Sequence, residues 1–117
     1  VINPMLVDEQ IRGAIVQGIG AALFEECRYD DQGLLQNGSL AEYLVPMAAE
    51  MPDIEVAHVE TPTATSRLGA KGAGEAGTAG APAAVMNAIN DALAPFGACV
   101  LSQPATPLKL LAALGKI

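Results

Sequence analysis

Tryptophan is absent and aromatic residues make up only 3% of the 117 residues, so the apolar mass is Ala, Leu, Val and Ile rather than stacked rings. Basic residues are scarce as well: 6 Lys and Arg stand against 13 Asp and Glu, for a formal net charge of −7. A chain so short of cations lacks the clustered positive charge that grips a phosphate backbone, which argues against nucleic-acid binding. No apolar run approaches the ~18 residues of a membrane span. The opening VINPMLVDEQ has no basic stretch leading into an apolar one, so no export leader is expected and a cytoplasmic location is. Val1 in place of an initiator Met is expected of a piece of a longer chain. Cys27 and Cys99 lack Cys-x-x-Cys spacing and are expected as small buried hydrophobes in a reducing compartment, not as a disulfide. His58 is the lone histidine, so no metal site built from protein side chains is expected, and no Ser-His-acid set can be assembled.

What is present is an ordered composition, 51% hydrophobic, at a length that allows one core. In DEQIRGAIVQGIGAALFEE, Ile11, Ile15, Ile19 and Ala22 recur at helical spacing, predicting a helix over 8–25. Asp8 is its expected cap or first-turn acid, spaced to pair with Arg12. CRYDDQG predicts a short strand at 27–29 running into a turn. LAEYLVP fits helix and strand alike, and MAAEMPD reads as a loop or short turn. IEVAHVET alternates and predicts a strand over 54–60, with His58 facing outward. APAAVMNAINDALAPF predicts a second helix over 82–94, GACVLSQP a strand near 98–102, and TPLKLLAALGKI a last helix capped by Thr106 with Pro107 at its first position. The expected fold is α+β: two main helices plus a short C-terminal helix on a small mixed sheet, as a single domain over 1–117.

Two features point to chemistry. Gly13, Gln17 and Gly20 share one sector of the first helix. Close helix packing is the simpler reading; a docked group bonded to the Gln17 amide is the other. The second feature is GAKGAGEAGTAG, Gly69 to Gly80, where glycine and alanine surround the single carboxylate of Glu75. It contains GxGxxG, but no hydrophobic strand leads into it, and Lys71 is followed by Gly72 rather than Ser or Thr, so both nucleotide-binding readings fail. Such a loop can hold Glu75 as a general base in a nest of backbone amides, or leave it solvated. Lys71 is either an ordinary surface cation or a partner for Glu75.

The blocks VINPMLVDEQIRGAIVQGIGAALFEE, AEYLVPMAAEMPDIEVAHVETPT and LGAKGAGEAGTAGAPAAVMNAINDAL resemble, in order and over nearly the whole length, the C-terminal end of the molybdenum-binding large subunit of the molybdenum hydroxylases. That family comprises xanthine dehydrogenase, aldehyde oxidase and aerobic carbon monoxide dehydrogenase. The resemblance implies an oxidoreductase that uses molybdenum on a molybdopterin, usually a cytosine dinucleotide in bacteria, and oxygen drawn from water. It makes Glu75 the base that deprotonates the oxygen nucleophile and sets Ala73 against the molybdopterin. It has the Gln17 amide bond the cofactor, which favours the docking reading of the first helix. Gly72 and Gly74 would give that cofactor room. At Ala70 and Ala73 the family more often has Val. The family's subunit is several times longer, so the chain would supply the base and part of the cofactor wall. The rest of the large subunit, iron–sulfur and possibly flavin subunits or domains, and a small-molecule substrate are the implied partners. Alone, the chain is expected to be inactive, to hold no cofactor and to self-associate. A free-standing module binding a ligand or partner is the alternative.

Overall fold

Asn3 and Pro4 start the first helix. The Asn3 side chain accepts the Leu6 N–H at 3.2 Å and Pro4 occupies the first turn, where a missing N–H costs nothing. Helix α1 therefore spans Pro4–Leu23, beginning a full turn before the expected Asp8. Asp8 lies inside it and meets His58, while Arg12 pairs with Glu9. The computed structural model describes residues 1–117.

Helix α2 spans Ala76–Leu93 and takes in the second half of the glycine-rich run, so it starts well before the expected residue 82. Pro82 sits inside it rather than at its start. Gly18 of α1 faces that proline: a Cβ there would lie 2.7 Å from Ala81 Cβ and 2.9 Å from Pro82 Cδ. Helix α3, Pro107–Ala113, begins as expected, with the Thr106 hydroxyl accepting the Lys109 N–H at 3.3 Å. Ala48–Glu50 forms a single 3-10 turn within the MAAEMPD loop.

The expected mixed sheet does not exist. Residues 54–60 form no strand, and the backbone amides there donate to no group of the chain. Side chains of α1 hold the segment instead: Arg12 Nε donates to Ile54 O at 2.9 Å, and His58 Nε2 lies 2.6 Å from Asp8 Oδ1. Alternation records which side of an extended segment faces inward; it does not supply the neighbouring strand that a ladder needs. At 98–102 a side chain takes the place of that neighbour. Asn90 Oδ1 accepts the Val100 N–H at 2.8 Å and its Nδ2 donates to Val100 O at 3.0 Å, which satisfies both backbone groups without a sheet. The strand expected at 27–29 reduces to one antiparallel bridge, Tyr29 to Leu35, across a turn with Gly33 at φ +80°.

Only 9 of 117 residues are buried, and Leu93, Val100 and Ala105 form a small core cluster under Leu23, Met86, Ile89 and Leu110. The radius of gyration is 17.9 Å, where a compact chain of this length has about 13 Å. The accessible surface is 8436 Å², against about 6,000 Å² for a closed monomer of this mass. Val59 is 94% and Leu101 89% exposed, and Cys27 and Cys99 are exposed as well. The length that would allow one sizeable core thus closes only a small one. No helix is long and apolar enough to cross a membrane.

Candidate functional site

The site is built where the start of α2 crosses the middle of α1. Gly77 makes the approach possible, since a Cβ there would lie 2.8 Å from both Ile11 O and Ile15 N. With the backbones this close, Thr78 Oγ1 donates to Ala14 O at 2.9 Å and lies 3.2 Å from Gln17 Oε1. One helical repeat earlier on α1, Gln10 Nε2 donates to Gly74 O at 3.3 Å. Gln10, Ala14 and Gln17 therefore form one stripe that grips residues 74–78.

This crossing brings two of the expected site residues to the same place. Glu75 precedes α2 as its N-cap residue, exposed, with a side chain that makes no capping bond and has no partner in the chain. Gln17 is exposed too; its Oε1 faces Thr78, and its Nε2 bonds to nothing in the chain. Gly74 is tied down by Gln10, while Gly72 and Ala73 line a groove of about 420 Å³ between the start of α1 and residues 58–73. Lys71 does not reach Glu75; its Nζ donates to Thr61 Oγ1 at 2.5 Å. His58 is exposed, as expected, and there it bonds to Asp8 and lines the same groove. Gln10 and Thr78 carried no pattern that marks them in the sequence. The one available hint was Thr78, a single hydroxyl one turn after Glu75 in a run of glycine and alanine.

Six glycines of α1, α2 and the loop before α2 divide into two sets, while Gly20 packs on Glu25 and Pro46 instead of facing open space. Gly77 and Gly18 serve helix contact. Gly13, Gly72 and Gly80 have nothing within 4 Å of where a Cβ would stand, and Gly74 only Gln10 Nε2, at 4.0 Å. None of these four has positive φ, so what they offer is open backbone rather than a special turn. No group of three or more His, Cys, Asp or Glu is placed to hold a metal. Open backbone beside an unpartnered carboxamide and an unpartnered carboxylate suits a large polar group approaching from outside the chain, as in the class of cofactor-binding proteins.

Comparison with known proteins gives that class its name. Residues 1–52 match the model of the molybdopterin cofactor-binding domain. The chain is 49% identical over 113 residues to the large subunit of nicotine 6-hydroxylase from Paenarthrobacter nicotinovorans, a match covering 97% of this chain and 14% of that one. It is 35% identical over 103 residues to the carbon monoxide dehydrogenase large chain of Afipia carboxidovorans, covering 88% of this chain and 13% of that one. The crystal structure of quinoline 2-oxidoreductase from Pseudomonas putida 86 superposes with a TM-score of 0.94 at 44% identity, over 99% of this chain and 15% of that one. The chain belongs to the molybdenum hydroxylase family, as a segment of the molybdenum-binding large subunit.

Proposed function

We propose that the complete protein is a molybdenum-dependent hydroxylase or dehydrogenase in which this segment supplies the catalytic base, Glu75, and part of the cofactor wall. The observation that carries the proposal is the pairing at the helix crossing of an exposed, unpartnered carboxylate with a free carboxamide nitrogen on Gln17. A molybdenum-bearing molybdopterin supplies, when bound, the redox chemistry that adds an oxygen from water to carbon. Glu75 accepts the proton that must leave that oxygen, from a helix start held in place by Gly77 and Thr78. Gln17 Nε2 donates to the cofactor, and Gly72, Ala73 and Gly74 form its wall. The cofactor is proposed in its cytosine dinucleotide form. Iron–sulfur and flavin-bearing subunits or domains take up the electrons, in the cytoplasm.

For substrate we propose a nitrogen heteroaromatic ring rather than carbon monoxide. The relatives named for nicotine and quinoline stand at 49% and 44% identity, the large chain named for carbon monoxide at 35%. A free-standing binding module is not favoured, because the curated relatives are oxidoreductase subunits.

In the complete enzyme, Glu75→Gln keeps shape and removes the base, so turnover should fall by about 10²- to 10⁴-fold with molybdenum content near normal. Gln17→Ala should lower molybdenum content, with a smaller fall in activity per bound metal. Loss of metal and activity in proportion on Glu75→Gln would place the base elsewhere.

A further inference from the structure

The geometry points to Thr78 as a positioning residue that holds the carboxamide of Gln17 with its N–H face outward. The inference rests on the reading that Gln17 bonds the cofactor, and it adds a residue to that site. The Thr78 hydroxyl has a single proton, which it shares in a three-centre bond between two acceptors on neighbouring turns of α1, Ala14 O at 2.9 Å and Gln17 Oε1 at 3.2 Å. Gln17 has no other polar partner in the chain, so nothing else fixes its long side chain or decides which end faces out. An exposed glutamine left to itself samples many rotamers, and ordering it costs entropy at the moment of binding. With Oε1 held against the hydroxyl, that cost is met in folding and Nε2 is presented as a ready donor.

The surrounding contacts make the arrangement specific. Gly77, immediately before Thr78, lies against Ile11 O and Ile15 N, while Gly18, immediately after Gln17, lies against Ala81 and Pro82. The hydroxyl is therefore flanked on both sides by backbone approaches that only glycine allows. Thr78 also stands one turn after Glu75, so the same bond ties the helix start that carries the carboxylate to the helix that carries the amide.

The test uses the complete enzyme with its partner subunits. Molybdenum release in urea is followed for wild type, Gln17→Ala, Thr78→Val, Thr78→Ser and the Gln17→Ala/Thr78→Val double variant. Thr78→Val keeps shape and drops the hydroxyl. It should speed release about three- to tenfold, the factor that one ordinary hydrogen bond supports, and Thr78→Ser should restore the wild-type rate. The decisive arm is the double variant, which should release no faster than Gln17→Ala alone, because Thr78 acts through Gln17. Should Thr78→Val fail to assemble, Thr78→Ala against Thr78→Ser makes the same comparison. Faster release on Gln17→Ala with no change on Thr78→Val overturns the role of Thr78 and leaves that of Gln17 standing. Additive effects overturn it as well, since Thr78 would then act through Ala14 alone. Wild-type release from Gln17→Ala overturns the underlying reading of Gln17 itself.

Discussion

Gly77→Ala and Gly80→Ala together measure the closeness of the α1–α2 crossing. Both positions lie in α2, so both substitutions gain the same intrinsic helix preference of about 1 kcal/mol. They differ in what the new methyl group meets. At Gly80 it meets nothing within 4 Å; at Gly77 it would stand 2.8 Å from Ile11 O and Ile15 N. Those are backbone atoms of a helix and cannot rotate aside, so the two helices must part by several tenths of an ångström. Overpacking of this kind costs about 1–3 kcal/mol. Gly80→Ala should therefore stabilise the chain by up to about 1 kcal/mol, and Gly77→Ala should destabilise it by about 0–2 kcal/mol. The assay is chemical denaturation followed by helical circular dichroism, with midpoints compared at equal slope. Equal midpoints, or a Gly77→Ala chain more stable than Gly80→Ala, would refute the close crossing.

Asn90→Ala strips the Val100 N–H and C=O of their partners at the edge of the Leu93 cluster, and should cost about 1–3 kcal/mol in the same denaturation assay; Asn90→Asp, which still accepts but cannot donate, should fall between. The Tyr43 hydroxyl donates to Glu25 Oε2 at 2.8 Å, and this bond raises the tyrosine above its ordinary value of 10.0. The bond's contribution is full below that ordinary value and is lost as pH climbs through the raised one. Ultraviolet titration should accordingly show one late-ionising tyrosine, which Glu25→Gln brings back down. The isolated chain, with apolar residues such as Val59 and Leu101 almost fully exposed, should self-associate; a strict monomer at high concentration in light scattering would count against this.

Features decided within a few residues were legible in the sequence. Thr106–Pro107 starts α3 because cap and first-turn proline act locally. Asn3–Pro4 is an equally local pair, but Asp8 offered a competing start and the earlier cap prevailed. The glycine-rich run was legible as special and not as helix: glycine weakens a helix on its own, and the reason for Gly77 lies across a contact with α1. The alternation at 54–60 predicted a strand and none forms, because no neighbouring segment supplies the ladder partner that a strand needs. Glu75 and Gln17 stood out, one by its setting among glycines and the other by its glycine-flanked face, and the roles proposed for both come from the family resemblance. Their convergence could not be read, because it depends on how two helices cross, and on Gln10 and Thr78, which have meaning only at that crossing.

Asn37 does for the loop after α1 what Asn90 does near the C-terminus. Its Oδ1 accepts the Arg28 N–H at 2.8 Å, its Nδ2 donates to Glu26 O at 2.7 Å, and the residue is 4% exposed. It also precedes Gly38, whose unhindered backbone nitrogen makes such an asparagine the one that ages fastest, by cyclising and losing its amide. In the folded chain both ends of that amide are engaged, so the carbon cannot swing toward the glycine nitrogen. The same two bonds that shape the loop thus set its chemical lifetime. Peptide mass spectrometry of aged samples should find aspartate at position 37 accumulating in denaturant and not in native buffer. Each conversion would replace a donor to Glu26 O with a negative charge, leaving a loop that cannot close again in the same way.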